Sequence, residues 1–351
     1  LIDLGEVSSL RSQSIYHAIG YAMTDASPNT IILVSPNRPY VCIGFHQEVE
    51  KEIDLDYCRS HGLPVLRREV GGGAVYLDNG QVFTQWIFHP NCLPGRLEHL
   101  FELFIRPLVM TYQSLGVDAY FRPINDVHVA GKKIGGSGAA LLGQAKVVVG
   151  SLMFDFDKAS MARVLKVPSE KMRDKIFASL EQYMTSLAEQ MDEVPSRIEV
   201  KNTYLHHCAE VLNAEIMPGA LSSEEEAKIT ELEKRFNSEE WLFQKGGLLQ
   251  RGVKIHEDVR VVEKVYKAPG GLIRVVVCFH QGLIDNLTIS GDFTILPAHA
   301  VSSMEQAMRG IFPQFDRLVE RLVEVYDSLK IQSPGVTPTH IAEVIVKAAE
   351  A

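Results

Sequence analysis

Two stretches of this chain set fixed positive charge beside backbone that can bend freely. The first is Arg67-Arg68-Glu69-Val70-Gly71-Gly72-Gly73-Ala74-Val75-Tyr76. Three consecutive glycines let the main chain approach a ligand closely and adopt φ > 0. Successive amides in such a loop can converge on phosphate oxygens as an anion nest. The preceding arginines add forked donors suited to the same anion. The second stretch is Asn125-Asp126-Val127-His128-Val129-Ala130-Gly131-Lys132-Lys133-Ile134-Gly135-Gly136-Ser137-Gly138. It puts a lysine pair at a turn and follows it with Gly-Gly-Ser-Gly. Neither spacing is Gly-x-Gly-x-x-Gly or a Walker loop. Each alone also fits a charged hairpin tip with its cations in water. Two such loops in one chain favour an anion site.

These loops need strands to hold them. Tyr16, Ile19, Ala22 and Met23 recur at helical spacing, and Ser27-Pro28-Asn29 ends that helix. Ile31–Val34 and Tyr40–Phe45 read as strands joined by a tight connection through Pro36 and Pro39. Lys51–His61 reads as a helix and Pro64–Arg68 as a strand. Ala74–Tyr76 and Val82–Phe88 flank a turn at Asp78-Asn79-Gly80, a register that could support a hairpin. Leu97–Leu115 is an amphipathic helix with Leu100, Leu103, Phe104, Leu108 and Leu115 on one side. A strand is expected over Val147–Phe156, then mostly helix from Ser160 to Trp241. Within that helical region Ser222 and Glu225 form a capping box.

Lys245-Gly246-Gly247 is the best candidate linker. Beyond it, Ile273–Phe279 and Leu283–Ile289 read as strands around His280-Gln281-Gly282. Helices follow from Ser302 (Glu305 completing a second capping box), Phe315 and Thr339. The expected fold is α+β. A large domain over residues 1–247 holds a mixed sheet flanked by helices, and residues 248–351 form a small α+β domain. A chain of 351 residues exceeds the usual span of one core, which agrees with two domains.

Hydrophobic residues at 46% and charged residues at 23% are ordinary for a globular protein. A formal charge of −9, from 44 acidic and 35 basic residues, argues against a nucleic-acid binder. No apolar run approaches the roughly 20 residues needed to cross a membrane, and no lipidation pattern is seen. Cys42, Cys58, Cys92, Cys208 and Cys278 are odd in number and unclustered. That usage fits reduced thiols in the cytoplasm better than a disulfide framework or zinc site. His206, His207 and Cys208 are adjacent on an expected helix, where neighbours point apart, and make a poor metal site.

Arg67–Tyr76 with Asn125–Ser137 resembles the lipoate–protein ligase family, a branch of the biotin/lipoate ligase and octanoyltransferase superfamily. Gly44-Phe45-His46-Gln47 is similar to a Gly-x-x-Gln of the same family. The Trp241 region and Gly291-Asp292-Phe293 are similar to the end of the family's large domain and to its accessory C-terminal domain. The resemblance implies an ATP-dependent ligase that activates lipoate or octanoate as the acyl-adenylate. The acyl group then passes to a lysine of a lipoyl-domain or H-protein-like carrier. It implies Lys133 as the catalytic cation. It implies Arg67, Arg68, Gly71, Gly72, Gly73, Ala74, Val75, Tyr76, Asn125, Asp126, Gly136 and Ser137 around ATP and the adenylate. Asp126 is implied as a Mg2+ ligand, since carboxylates with phosphates suit that ion. A monomer is expected, and in related ligases the accessory domain moves, which places a hinge near Gly246-Gly247. No residue is nominated as base for the acceptor lysine, whose ordinary pKa is about 10.4.

Two positions depart from the family pattern. Leu77 and Val149 stand where histidines are usual, which puts the acyl pocket and the acceptor in question. The nearest rival is an octanoyltransferase, which works through a cysteine thioester. Neither Tyr120–Ile124 nor Ala139–Val149, where transferase subgroups carry that cysteine, contains one. Biotin ligation lacks its Gly-Arg-Gly-Arg-type loop. A non-catalytic acyl-binding subunit has no chemical need for Lys133 and both loops.

Overall fold

The computed structural model describes residues 1–245 and 259–351. Beyond Lys245, the expected linker and the boundary at 247/248 lie outside the described residues. The chain forms two compact units. The first comprises Leu1–Cys42, Glu52–Arg68 and Val75–Leu242; the second comprises Ile43–Lys51, Glu69–Ala74 and Phe243–Ala351. The second unit therefore draws two short segments from early in the sequence.

The chain begins β1 (Ile2–Val7), α1 (Ser9–Ala22), β2 (Thr30–Pro36), β3 (Tyr40–Ile43), α2 (Val49–Glu52) and α3 (Leu55–Ser60). It continues through β4 (Val65–Arg67), β5 (Val75–Leu77), β6 (Gln81–Phe88) and α4 (Leu97–Ser114). A run of strands follows: β7 (Ala119–Arg122), β8 (Asp126–Val129), β9 (Lys132–Gly136), β10 (Gly138–Leu142) and β11 (Ala145–Met153). Helices α5 (Lys158–Val164), α6 (Glu170–Tyr183), α7 (Leu187–Gln190), α8 (Arg197–Leu212), α9 (Ser223–Phe236) and α10 (Glu239–Leu242) close this part.

The main sheet has the order β1-β2-β6-β11-β10, with β1 and β2 parallel and the other pairs antiparallel. Every residue of β2 and β6 is buried, so these central strands carry the core from both faces. The apolar stripe of α4 buries Leu100, Phe104, Leu108 and Tyr112. The Phe104 ring stands edge-on to Trp86 of β6 at 5.1 Å. Trp86 is fully buried, yet its Nε1 donates to the Tyr204 hydroxyl of α8 at 3.0 Å. That bond removes the cost of an orphaned indole N–H. Side chains of this size contribute about 1.5–3 kcal/mol each on burial.

Two smaller sheets carry the loops, β4-β3-β5 and β7-β8-β9. Here strand pairing departs from expectation. β2 and β3 follow one another but enter different sheets, and β5 pairs with β3 rather than with β6. The Asp78–Gly80 turn explains the second departure. Asp78 Oδ1 accepts from Gly80 N at 2.8 Å, and Gly80 O accepts from Phe154 N and Asp155 N at 2.9 and 3.0 Å. The turn is thus fastened to the end of β11, which takes β6 into the main sheet. The expected helix over 51–61 splits, because Asp54 caps α3 by accepting from Tyr57 N at 3.0 Å.

In the second unit, β12 (Val259–Ala268), β13 (Gly271–His280) and β14 (Leu283–Gly291) form an antiparallel meander. Gln281 and Gly282 both have positive φ, the geometry of a tight two-residue hairpin turn. Helices α11 (Ala300–Ala307), α12 (Phe315–Leu329) and α13 (Pro338–Ala349) share one apolar core with the sheet, including Val275, Ile289, Met304, Leu322 and Ile345. The Ser222–Glu225 capping box is present at α9. At α11 it is not: the helix begins at Ala300, and Glu305 instead accepts from Ile289 N at 2.8 Å.

Candidate functional site

The lysine hairpin belongs to the first unit. β8 and β9 meet at Ala130 and Gly131, both with positive φ (48° and 82°). Asp126 stands opposite Gly136, and His128 stands opposite Lys133 after a bulge between Val127 and His128. Lys133 Nζ lies 2.7 Å from Asp126 Oδ1, an ion pair with both side chains partly exposed. Gly136 makes that contact possible. A Cβ there would lie 2.9 Å from Lys133 Nζ, 3.0 Å from its Cε and 3.1 Å from Asp126 Oδ1. Lys132 is occupied otherwise, donating from Nζ to Glu181 O at 3.0 Å. The Lys133 main chain is pinned as well, since its carbonyl accepts from Thr185 N at 2.9 Å.

Asn125 and Ser137 clasp the open end of this hairpin. Asn125 Nδ2 donates to Ser137 O, while Ser137 N and Oγ donate to Asn125 O at 2.8 and 3.2 Å. Their visible role is to fix the strand ends that carry Asp126 and Gly136. Gly150 of β11 adds a second constraint. Its missing side chain leaves room for the Phe104 ring, 2.8 Å from where a Cβ would stand, and for Gly136 O at 3.1 Å.

His128 was not among the residues singled out from sequence. Its side chain is fully buried beneath the ion pair, with Nδ1 3.2 Å from Gly131 O and Nε2 3.8 Å from Asp126 Oδ2. Burial holds its pKa below the usual imidazole value, with Arg122 and Lys133 acting in the same sense. A neutral ring donates from Nδ1 to the Gly131 carbonyl and steadies the turn. The signal available was period two from Asp126, which puts residue 128 on the same strand face.

The two arginines at the first loop have different employments. Arg67 is fully buried and donates from Nε to Trp241 O and Leu242 O (both 3.1 Å) and from Nη2 to Leu242 O (2.6 Å). Trp241 Nε1 returns a bond to Arg67 O at 2.9 Å. These bonds tie β4 to α10. Arg68 is half-buried and donates from Nη1 to Cys42 O at 3.2 Å. Val75 and Tyr76 lie in β5 opposite Cys42 and Val41, with Tyr76 nearly buried. Burial raises the Tyr76 phenol pKa. Leu77 and Val149, the departures from the family pattern, are both half-buried in strands.

Glu69–Ala74, the glycine loop itself, belongs to the second unit together with Ile43–Lys51. Gly72 has φ +95°, conformational space that favours glycine. Its N–H donates to Phe293 O at 3.2 Å. A Cβ on Gly73 would meet Asp292, with Cβ at 3.6 Å and Oδ2 at 3.9 Å. Gln47 Oε1 accepts from Gly44 N at 3.0 Å, which gives the Gly-x-x-Gln spacing a physical meaning as a turn closed by its own glutamine.

Cys42, Cys58 and Cys208 are buried, and desolvation raises all three thiols, Cys58 to about 11 and Cys208 to about 12. Cys278 is half-buried and Cys92 exposed. None of the five lies between Ala119 and Met153, the segment that carries the lysine hairpin. His206, His207 and Glu210 bring one ligand atom each within 4.8 Å of one another on α8. Asp126 is not part of such a group among the described residues. It offers one carboxylate, which matches the one or two that Mg2+ commonly takes beside phosphate oxygens. No described helix is long and apolar enough to cross a membrane.

Residues 14–209 match the family of the lipoyl protein ligase A/B catalytic domain. Lipoate-protein ligase A subunit 1 of Thermoplasma acidophilum is 32% identical over 224 residues, 61% of this chain and 83% of that protein. Octanoyltransferase LipM of Kyrpidia tusciae is 27% identical over 272 residues, 70% of this chain and 98% of the transferase. A solved structure is similar too, that of a bi-partite lipoate protein ligase from Thermoplasma acidophilum, studied with its E2 lipoyl domain. It superposes with a TM-score of 0.64 at 27% identity, covering 72% of this chain and 98% of that one.

Proposed function

Because the chain belongs to the lipoyl protein ligase A/B catalytic-domain family, and so to its ligases and acyltransferases, we propose that it is the ATP-dependent kind. In this reading a carboxylate oxygen of lipoate, or of octanoate, attacks the α-phosphorus of ATP. Pyrophosphate leaves and a mixed acyl–AMP anhydride remains. The neutral amine of a carrier lysine then attacks the acyl carbon, AMP departs, and an amide forms. The carrier is a lipoyl domain or an H-protein-like domain, as the relative studied with an E2 lipoyl domain supports.

The single observation that carries adenylation over transfer is the hairpin itself. It presents an ammonium, Lys133 Nζ, against Asp126, on a segment without a thiol. Negative charge builds on the α-phosphate in the first step and on the acyl oxygen in the second. A positioned cation stabilises both, a contribution commonly worth about 10²–10³ in rate. Asp126 holds the amine aimed until an anion takes its place. We assign Arg68 and the amides of Gly71 to Tyr76 to the nucleotide, and Asn125, Gly136 and Ser137 to the hairpin that presents Lys133. Mg2+, when bound, would neutralise phosphate charge, with Asp126 as the residue that would hold it.

The rival reading, acyl transfer without ATP, rests on the similarity to LipM. It requires a reactive thiolate, and burial pushes the Cys42, Cys58 and Cys208 thiols up from their ordinary values. ATP–pyrophosphate exchange with lipoate, octanoate and biotin, on wild type and Lys133→Ala, separates the two. Exchange that needs lipoate or octanoate and collapses in the variant is expected. No exchange from folded wild type, with a hydroxylamine-sensitive acyl-enzyme formed from octanoyl carrier, would establish the transferase instead.

A further inference from the structure

The glycine loop is usually explained by its ligand, but in this chain protein backbone fills the space that Gly71 leaves. A Cβ on Gly71 would stand 2.7 Å from Phe293 O, 2.9 Å from Thr294 Cα and 3.1 Å from Thr294 Oγ1. The neighbouring Gly72 N–H donates to that same Phe293 carbonyl at 3.2 Å. On the other side, a Cβ on Gly44 would fall 1.9 Å from Gly72 O, and Phe45 N donates to Val70 O at 3.1 Å. The loop is therefore sandwiched between residues 44–45 and residues 293–294, all within the second unit.

The outer layer of that sandwich is itself anchored. Ser290 Oγ donates to Glu48 Oε1 at 2.5 Å, with both residues buried. Gly291 N donates to His46 O at 3.0 Å. Asp292 bonds Leu272 twice, donating from N to its carbonyl at 3.2 Å and accepting its N–H at Oδ1. Phe293, 1% exposed, stacks on the His46 ring with centroids 5.3 Å apart and planes at 29°. A ring stack and four hydrogen bonds thus converge on residues 290–293.

We propose that the Ser290–Thr294 segment is a positioning element for the nucleotide loop, with Phe293 as its anchor. It holds Gly71–Gly73 in ligand-ready shape before the nucleotide arrives, so that binding need not order the loop. The role assigned to the nucleotide rests on the ligase reading above; the holding of the loop does not. Gly71 is then small because the backbone at Phe293 and Thr294 comes close.

Phe293→Ala in the full chain tests this, read by hydrogen–deuterium exchange and by kinetics. Amides of residues 69–74 are expected to exchange about tenfold faster, the scale of freeing one backbone residue, while β6 keeps wild-type protection. KM for ATP in pyrophosphate exchange should rise about tenfold with kcat at saturating ATP within threefold, a split that general destabilisation does not produce. Ser290→Ala, which removes only the bond to Glu48, should shift both readings the same way by less, and serves if Phe293→Ala does not fold. Unchanged loop protection in the folded variants, or an equal rise across the whole chain, would overturn the proposal. Absence of exchange activity in wild type would sink the ligase reading alone, because loop protection still decides this one.

Discussion

Adding one methyl group at Gly136 should disable the lysine without removing its charge. The new Cβ would sit 2.9 Å from Lys133 Nζ and 3.0 Å from its Cε. Ordinary non-bonded approach is about 3.5–4.0 Å, so the amine must retreat by roughly 0.6–1 Å. It can do so, because both atoms are the far end of a flexible side chain. A misplacement near 1 Å commonly costs about 10² in rate, or about 2.7 kcal/mol of barrier. The fold loses little. The Lys133–Asp126 pair is partly exposed and is worth at most about 1 kcal/mol after solvent screening, a shift of roughly 2–4 °C in Tm. The assay is kcat for lipoate-dependent pyrophosphate exchange in Gly136→Ala beside Lys133→Ala, with melting curves for both. Gly136→Ala should fall about a hundredfold, near but not below the lysine deletion. A Gly136→Ala enzyme within twofold of wild type, with normal melting, would refute the claim that the position of this amine sets the rate.

Two further outcomes follow from the burial of charge and thiol. Arg67→Ala leaves the Trp241 and Leu242 carbonyls without their buried donor. Urea unfolding should report a loss of about 2–5 kcal/mol, with KM for ATP little changed in the folded fraction. A loss below about 0.5 kcal/mol would show that the guanidinium is not a structural tie. The Cys208 thiol is pushed up to about 12 by burial. At pH 8 a thiol reagent should therefore modify Cys92 and spare Cys208 until the chain is denatured. Because the unfolded thiol ionises near 8.5 and the folded one does not, the unfolded state binds fewer protons above that pH. Stability should then decline as pH rises through 9 and beyond, and Cys208→Ala should flatten that decline. An unflattened curve would count against the burial effect.

The features that could be read from sequence are the ones set by near neighbours. Ser222 and Glu225 cap α9 because a capping box is closed within four residues. The α4 stripe and the lysine turn were likewise visible from spacing alone. Strand partners were not. Alternation marks β5 and β6 as strands but carries no label for their neighbours, and a turn fastened to β11 sent them to different sheets. That Arg67 bonds the carbonyls of α10 was not legible either, because a buried arginine and an exposed one have the same letter. Glu305 had the right spacing for a cap, yet the amide it satisfies belongs to Ile289 on a strand. Gly71 was legible as a close-approach residue, whereas the approaching backbone lies at Phe293 and Thr294. The mixed α+β architecture, by contrast, follows from element types alone and agrees with the similar ligase structure.

The bond from Gly72 to Phe293 joins residues about 220 positions apart in the sequence. At a synthesis rate of about 5–20 residues per second, the loop emerges roughly 10–45 s before the backbone that shapes it. During that interval β4 and β5 can pair with β3 while the loop between them has nothing to rest against. The last part of the protein to be finished is then a piece of its beginning. A nascent or prematurely ended chain would hold the glycine loop without the backbone at Phe293 and Thr294 that it rests against.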